Sequence, residues 1–173
     1  MLPTDSLLVD FNLLTSNALY DILGNVNFLS DVGKGICVLQ ARVVPLNHPA
    51  EAMGLFQQLL VPFIVEVRGE RVYCDMGDYM HLMGDREREV RIRWIYETLV
   101  NPQEIRRSHL KSKPFREVYI AFLREEERSE EVTPFVVGVD RRYGRLDFRT
   151  AFVPTPAYLR NLRRGRLLWS SKK

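Results

Sequence analysis

The chain has 173 residues, of which 46% are hydrophobic, 27% charged and 10% aromatic. A chain of this length can bury a hydrophobic core, which excludes a disulfide-stapled miniprotein, a collagen-like chain and a wholly disordered one. Residues 1–80 hold four basic and nine acidic side chains, a net charge of −5, whereas residues 81–173 hold 21 basic and 13 acidic ones, a net charge of +8. This asymmetry favours either a polyanionic partner for the second part or a solvated cationic surface kept for solubility.

The first part of the chain alternates helical and strand-like segments. Apolar spacing predicts, in chain order, a helix over residues 11–23, a strand over 36–44, a helix from Pro49 to about Leu59, and strands over 60–67 and 71–75. The last two runs meet at Gly69 and indicate a β-hairpin. We expect residues 1–77 to form an acidic α/β extension that packs on the same core as the remainder of the chain.

The second part of the chain predicts helices followed by a sheet. Asp85 can cap a helix over residues 86–100, and Pro102 ends that helix and begins a short turn over residues 103–105. The segments that follow are strands over 115–123, 132–139 and 146–153, and a basic amphipathic segment over 157–168. The fold class predicted for residues 78–173 is α+β, with a three- to four-stranded antiparallel meander whose second face is left open for an extended polyanion.

Several common enzymatic signatures are missing from the sequence. It contains no GxxxxGK[ST], no GxGxxG after a strand, no HExxH and no GxSxG, which argues against the usual nucleotide hydrolases, dinucleotide oxidoreductases, zinc proteases and serine hydrolases. Cys37 and Cys74 lack the spacing of a zinc site. Without a basic region near the N-terminus or a long apolar run, we expect a cytoplasmic protein with no membrane span, metal or cofactor.

Metal-free cleavage of RNA by its own 2′-hydroxyl group is a reaction that the basic part could run. It needs one group to take the 2′-OH proton, one to protonate the leaving 5′ oxygen, and cations or hydroxyls to stabilise the charge on the phosphorus. Histidine, arginine, tyrosine and threonine are sufficient for these roles. The basic part supplies His81, His109, many arginines and Thr150.

One histidine and three short sequence motifs follow one another in the second part of the chain. His81 is followed by the helix that ends Thr-Leu-Val-Asn-Pro-Gln-Glu-Ile at residues 98–105, by Arg-Glu-Val-Tyr at 116–119, and by Phe-Arg-Thr-Ala-Phe at 148–152. In this order, residues 78–165 resemble the phage-type nuclease domains of the barnase, EndoU, colicin and RelE-like superfamily of metal-independent endoribonucleases. The resemblance implies an α+β nuclease that acts on RNA, with transfer RNA among its candidate substrates and a cognate inhibitor protein as a candidate partner.

The resemblance also implies roles for individual residues. His81 becomes the candidate general acid or base, Arg116 the candidate phosphate-binding cation, Thr150 a hydroxyl that contacts the phosphate, and Tyr119 a further catalytic candidate on the strand of Arg116. Arg149 should face away from Thr150 if the last strand is regular. The candidate RNA-binding residues are His109, Arg106, Arg107, Arg149, Tyr158 and Arg163.

Each of these residues also has a structural interpretation. His81 lies among apolar residues and could pack against them, Arg116 could be an exposed strand cation, and Thr150 suits any strand. A basic nucleic-acid-binding or interaction module that has lost catalysis is therefore the first alternative function. A phage-like assembly or scaffold protein is the second, and convergence of His81, Arg116 and Thr150 on one cleft would favour the enzyme.

Overall fold

The computed structural model of the chain describes residues 28–31, 36–40, 49–82, 86–125 and 132–171. The predicted helix over residues 11–23 and the predicted cap Asp85 lie outside these residues. No helix within the described ranges is long and apolar enough to cross a membrane.

The described residues form five helices. Their bounds are Pro49–Leu60 (α1), Met76–Leu82 (α2), Arg86–Glu89 (α3), Ile92–Val100 (α4) and Pro156–Leu162 (α5). The helix predicted from Pro49 is confirmed. The single helix predicted over 86–100 is wrong in one respect, because turns around residues 90 and 91 divide it into α3 and α4. It does end at Val100, before Pro102, as predicted.

One mixed sheet contains every described strand. The strands are Phe28–Asp31 (β1), Ile36–Gln40 (β2), Phe63–Val65 (β3), Arg71–Tyr73 (β4), Glu104–Arg107 (β5), Arg116–Arg124 (β6), Val132–Arg142 (β7), Arg145–Phe152 (β8) and Arg166–Ser170 (β9). The order is β1-β2-β6-β7-β8-β4-β3, with β5 paired to β6 and β9. The β2–β6 and β4–β8 pairs are parallel and the others are antiparallel.

The α+β class, the hairpin of β3 and β4 and the meander of β6, β7 and β8 are confirmed. The expected sheet of three to four strands is too small, because strands on both sides of the meander join it. The turn predicted over 103–105 is wrong, since residues 104–107 pair with β6 on one side and with β9 on the other. Each of these strands adds hydrogen bonds to an edge that would otherwise be unpaired.

The basic amphipathic segment predicted over residues 157–168 is divided between a helix and a strand. Helix α5 ends at Leu162, and the chain then turns at Gly165 and returns as β9. A Cβ atom on Gly165 would lie 2.1 Å from the carbonyl oxygen of Arg107, so only glycine allows this approach to β5. The turn between α5 and β9 therefore depends on a steric requirement at Gly165, which the spacing of apolar residues does not reveal.

The core lies on both faces of the sheet in unequal parts. The larger cluster joins α1, α2 and α4 to one face and includes Phe56, Tyr79 and Trp94. On the other face, Val118 and Ile120 pack beneath α5 through Leu162. The second face, which we expected to be open, is thus partly covered by α5, and its other part carries the polar side chains of β6 and β8.

Candidate functional site

An open cleft of about 660 Å³ lies on the sheet face that carries Arg116 and Thr150. Helix α2 and the loop before β6 form its walls. The lining residues are Asp75, Gly77, Asp78, His81, Lys113, Arg116, Arg149 and Thr150. The cleft therefore brings together His81, Arg116 and Thr150, three of the four predicted catalytic residues, with Arg149 from the predicted RNA-binding set.

Helix α2 presents His81 to the cleft because a pair of aspartates caps its start. The Asp75 carboxylate accepts a hydrogen bond from the Asp78 amide at 3.0 Å, and the Asp78 carboxylate accepts one from the Asp75 amide at 3.0 Å. This reciprocal pair has the spacing of a capping box. Tyr79 and Leu82 are buried in the core, and the neighbouring side of the helix, with Asp78 and His81 three residues apart, faces the cleft.

Gly138 on β7 lies directly beneath two of the cleft residues. A Cβ atom at Gly138 would lie 3.1 Å from Cγ2 of Thr150 and 3.3 Å from Cδ of Arg116. Because Gly138 has no side chain, the side chain of Arg116 can extend over β7 beside Thr150. The absence of a side chain at Gly138 leaves the space that the side chains of Arg116 and Thr150 occupy.

Arg149 occupies a β-bulge, which corrects an expectation from the sequence. Gly138 pairs with Thr150 whereas the next residue, Val139, pairs with Phe148, so Arg149 is the extra residue of β8. The regular strand that would turn Arg149 away from Thr150 is absent at this point. Both side chains line the cleft as a result.

Asp140 holds the guanidinium groups on this face. Arg116 donates two hydrogen bonds to its carboxylate, and Arg149 Nε lies 3.3 Å from Asp140 Oδ2. Burial acts to raise the pKa of Asp140, but the hydrogen bond from Arg116 and the charges of Arg116, Arg149 and Arg142 outweigh it and hold that pKa below its ordinary value. Asp140 is thus an anion that orients the cations.

Asp78 has the opposite electrostatic environment. Burial raises the pKa of its carboxyl group, and the charge of Asp75 adds to that effect, although the hydrogen bond from the Asp75 amide and the charge of Arg149 oppose it. Its raised pKa brings a carboxyl group closer to the range in which acid–base catalysts work. The cleft therefore contains an imidazole and a perturbed carboxyl group on one helix face.

Tyr119 does not line the cleft, contrary to the expectation that it shares the site of Arg116. Its ring is completely buried on the other face of the sheet. Its hydroxyl accepts a hydrogen bond from Arg68 at 2.7 Å and donates one to Glu66 at 3.2 Å. Residues 116 and 119 are an odd number of positions apart, which places them on opposite faces of a regular strand.

Beside Tyr119 lies an ionic network centred on Glu117, which is 1% exposed. Arg68, Arg107 and Arg141 all donate to its carboxylate, at distances from 2.6 to 3.2 Å for their shortest bonds. Arg141 also forms two bonds with Glu70. These contacts tie the hairpin of β3 and β4 to the centre of the sheet, so Arg107 is held in the fold and away from the cleft.

Four further candidates lie outside the cleft. Arg106 and Arg163 both bind Glu104, and Arg106 also donates to the carbonyl oxygens of Arg163 and Gly165. Both arginines therefore hold β5 against the turn before β9. Tyr158 packs on another aromatic ring, that of Phe152, with 5.6 Å between centroids. His109 is exposed in the loop between β5 and β6.

Sequence interpretation missed Lys113, Asp75, Asp78 and Gly138. The spacing of Asp75 and Asp78 before a short helical run is a capping-box signal that could have located the start of α2. Lys113 and Gly138 carry no local signal, because the place of Gly138 follows from strand register and that of Lys113 from the path of the loop before β6. Within the described residues, no group of three or more His, Cys, Asp and Glu side chains could hold a metal ion.

Comparison with protein families gives one match. The model of the phage-Barnase-EndoU-ColicinE5/D-RelE like nuclease2 family, PBECR2, matches residues 52–170, well over half of the chain. Comparisons with curated proteins and with solved structures give no match. The matched segment extends beyond residues 78–165 at both ends, and the proposed boundary at residue 77 stays a prediction. The chain belongs to the PBECR2 nuclease family and has a nuclease-like domain.

Proposed function

We propose that this protein is a metal-independent endoribonuclease that cleaves RNA by attack of a ribose 2′-hydroxyl group on the adjacent phosphorus. The observation that carries the proposal is the convergence of His81, Arg116 and Thr150 on one cleft. These side chains come from a helix and two strands that are distant in the sequence. Their types match the needs of a reaction that moves two protons and gathers negative charge on a phosphate.

His81 and Asp78 supply the proton transfers in this proposal. The 2′ oxygen forms a bond to phosphorus as its proton passes to one of the two groups, and the bond from phosphorus to the 5′ oxygen breaks as the other group protonates that oxygen. The products are a 2′,3′-cyclic phosphate and a 5′-hydroxyl. Imidazole can take either role near neutral pH, and burial raises the pKa of Asp78 above that of an ordinary aspartate.

Lys113, Arg116 and Arg149 hold the phosphate in this proposal. Three cationic side chains line the cleft against two aspartates, and guanidinium groups match the oxygens of a phosphodiester. Thr150 donates its hydroxyl hydrogen to a phosphate oxygen. Because the attacking group is the 2′-hydroxyl, the substrate is RNA and DNA is not cleaved.

The experiment is an incubation of the purified protein with total RNA in EDTA, with the ends of the products identified. The wild type is expected to give fragments that end in 2′,3′-cyclic phosphate. His81→Ala should lower the rate at least about 100-fold, since acid–base groups contribute about 10²- to 10⁴-fold. Met80→Ala is the matched control, because Met80 is 64% exposed on the same helix and does not line the cleft.

Arg116→Ala should lower both cleavage and RNA affinity, whereas Arg160→Ala, which removes an exposed arginine from α5, should change neither. Intact RNA that is nevertheless bound by the wild type would contradict the proposal and favour a non-catalytic binding module. Intact and unbound RNA would favour an assembly or scaffold protein. Activity that requires a metal ion would overturn the mechanism.

A further inference from the structure

A second groove, of about 470 Å³, adjoins the cleft. The two depressions share Asp75, Asp78 and Arg149 as lining residues. The second one runs from there to the tip of the β7–β8 hairpin, where Arg142, Tyr143 and Arg145 form its rim. We call it the hairpin groove. A strand of nucleic acid whose phosphate lies in the cleft would continue into it.

Tyr143 is the most unusual residue of this groove. Its side chain is fully exposed, and its backbone has a φ of 52°. The next residue, Gly144, has a φ of 79°, so the two form the tight hairpin turn in which both central residues are left-handed. Such turns favour Asn or Asp before Gly, and a bulky side chain is disfavoured there. Neither the turn nor the core explains a tyrosine at this position.

The other walls of the hairpin groove suit an aromatic ligand. Its floor is apolar, with the buried side chains of Cys74 and Phe148. On one wall, the guanidinium carbon of Arg145 lies 4.1 Å from the centre of the Tyr73 ring. Arg142 and Arg145 lie on either side of Tyr143 and Gly144 in the sequence, and their side chains are 55% and 58% exposed although they pair with Asp140 at 3.7 Å and Asp147 at 2.6 Å. Aromatic faces beside arginines are the typical surface for unpaired bases and their phosphates.

We propose that the hairpin groove binds an unpaired nucleobase of the RNA, which stacks on Tyr143, while Arg142 and Arg145 contact the adjoining phosphates. The proposal rests on the proposed function for the placement of the scissile phosphate in the cleft. It adds that the substrate is single-stranded at the nucleotide next to the cleavage site, because a paired base could not reach the ring. The hairpin tip would then decide which RNA segments the cleft can receive.

The test is the binding of a fully 2′-O-methylated single-stranded oligonucleotide, which cannot be cleaved by 2′-OH attack, to wild type, Tyr143→Phe and Tyr143→Asn. Asparagine suits the left-handed backbone, so Tyr143→Asn should fold with an unchanged or higher melting temperature. It should nevertheless bind about 5- to 150-fold more weakly, the range expected for one stacked base. Tyr143→Phe keeps the ring and should bind like the wild type.

A second oligonucleotide series places an abasic nucleotide at each position in turn. At one position, loss of the base should weaken binding to the wild type and have no effect on Tyr143→Asn. Equal binding of the wild type and Tyr143→Asn would overturn the inference. If RNA is cleaved but Tyr143→Asn matches the wild type, the groove assignment fails and the nuclease stands. If Tyr143-dependent binding occurs without cleavage, the proposed function fails and the groove assignment stands; with neither binding nor cleavage, both fail.

Discussion

Arg116 and Asp140 face each other across β6 and β7 and are joined by two hydrogen bonds. Arg116 Nε donates to Asp140 Oδ1 at 2.5 Å, and Nη2 donates to Oδ2 at 3.3 Å. The side of the guanidinium that carries Nε is thereby fixed to the sheet. Nη1 lies 3.5 Å from the Cβ position of Gly138. Asp140 therefore determines the orientation of a cation that the proposed function assigns to the phosphate.

Asp140→Asn should lower the rate constant of cleavage more than it lowers RNA affinity. The variant removes the negative charge that pairs with Arg116 and Arg149 of the cleft, so RNA should bind as tightly as before or more tightly. The arginine loses its fixed orientation, and misplacement by about 1 Å can reduce catalysis by about 100-fold. We expect kcat to fall about 10- to 100-fold with KM unchanged or lower. Glu51→Gln, which makes the same charge change at an exposed position of α1, is the control. An unchanged kcat in Asp140→Asn would contradict a positioning role.

Gly138→Ala should damage the cleft while the protein stays folded. The added methyl group would lie 3.1 Å from Thr150 Cγ2 and must push the threonine or Arg116 aside. Overpacking costs about 1–3 kcal/mol, and the better strand propensity of alanine offsets about 0.5–1 kcal/mol. We expect a loss of about 1 kcal/mol in the free energy of unfolding by denaturant titration and at least a roughly 10-fold loss of cleavage.

Gly54→Ala is the matched control for that variant. Gly54 lies in α1, and a Cβ atom there would meet nothing within 4 Å. Alanine is favoured over glycine in a helix by about 1 kcal/mol, so this variant should be more stable and equally active. Full activity in Gly138→Ala would show that the spacing of Arg116 and Thr150 does not govern the reaction.

Glu117→Gln should weaken the fold strongly at neutral pH and weakly in acid. Burial acts to raise the pKa of Glu117, but hydrogen bonds and charges from Arg141 and Arg68 outweigh it and hold that pKa below its ordinary value. The carboxylate therefore contributes stability above its unfolded pKa of about 4.3, and the contribution is lost as pH falls through the lower folded pKa. Breaking a buried ion pair costs about 3–5 kcal/mol.

Denaturant titrations of the wild type and Glu117→Gln from pH 7 down to pH 2 check this expectation. The two free energies of unfolding should differ by about 3–5 kcal/mol at pH 7 and converge below about pH 4. A difference that stays constant over the whole range would mean that packing, and not the charge of Glu117, stabilises this part of the sheet.

RNA binding should weaken steeply with salt, and cleft cations should account for part of the slope. Each phosphate neutralised on a single strand contributes about 0.7 to the slope of log K against log salt. Lys113→Ala and Arg149→Ala should each make that slope shallower by roughly this amount, whereas Arg160→Ala on α5 should leave it unchanged. The slopes are measured by fluorescence anisotropy from 50 to 300 mM salt, about a two-fold range of Debye lengths. Equal slopes in the wild type and all three variants would mean that the RNA does not bind in the cleft.

The sequence predicts the elements of the meander and four residues of the cleft, His81, Arg116, Arg149 and Thr150, because these follow from local patterns and short phrases. It misses the bulge at Arg149, since a bulge is a property of the pairing of β7 with β8 and both neighbours of Arg149 suit a regular strand. The sequence also misses Lys113, because the place of this residue in the cleft depends on the path of a loop. Local pattern determines the elements, and register determines which side chains meet.

The buried network is invisible in the sequence for a further reason. Glu117 and Arg141 look like surface charges of alternating strands. Both instead lie on the main core side of the sheet, where charged partners from the turn between β3 and β4 and from β5 converge on them. Tyr119 was assigned to the site because it is close to Arg116 in sequence. A strict two-residue period would have placed it on the opposite face.

The parallel pairing of β4 with β8 has a consequence for the order in which the site is assembled. Two residue pairs, Val72 with Leu146 and Tyr73 with Asp147, join β4 to β8, and α2 with His81 begins three residues after Tyr73. Contacts between segments so far apart in the chain form late in folding, because a long loop must close first. A chain still emerging from the ribosome therefore has no complete cleft until residue 150 has been released. On the proposed function, a chain that has not yet released Arg149 and Thr150 lacks two of the side chains that line the cleft.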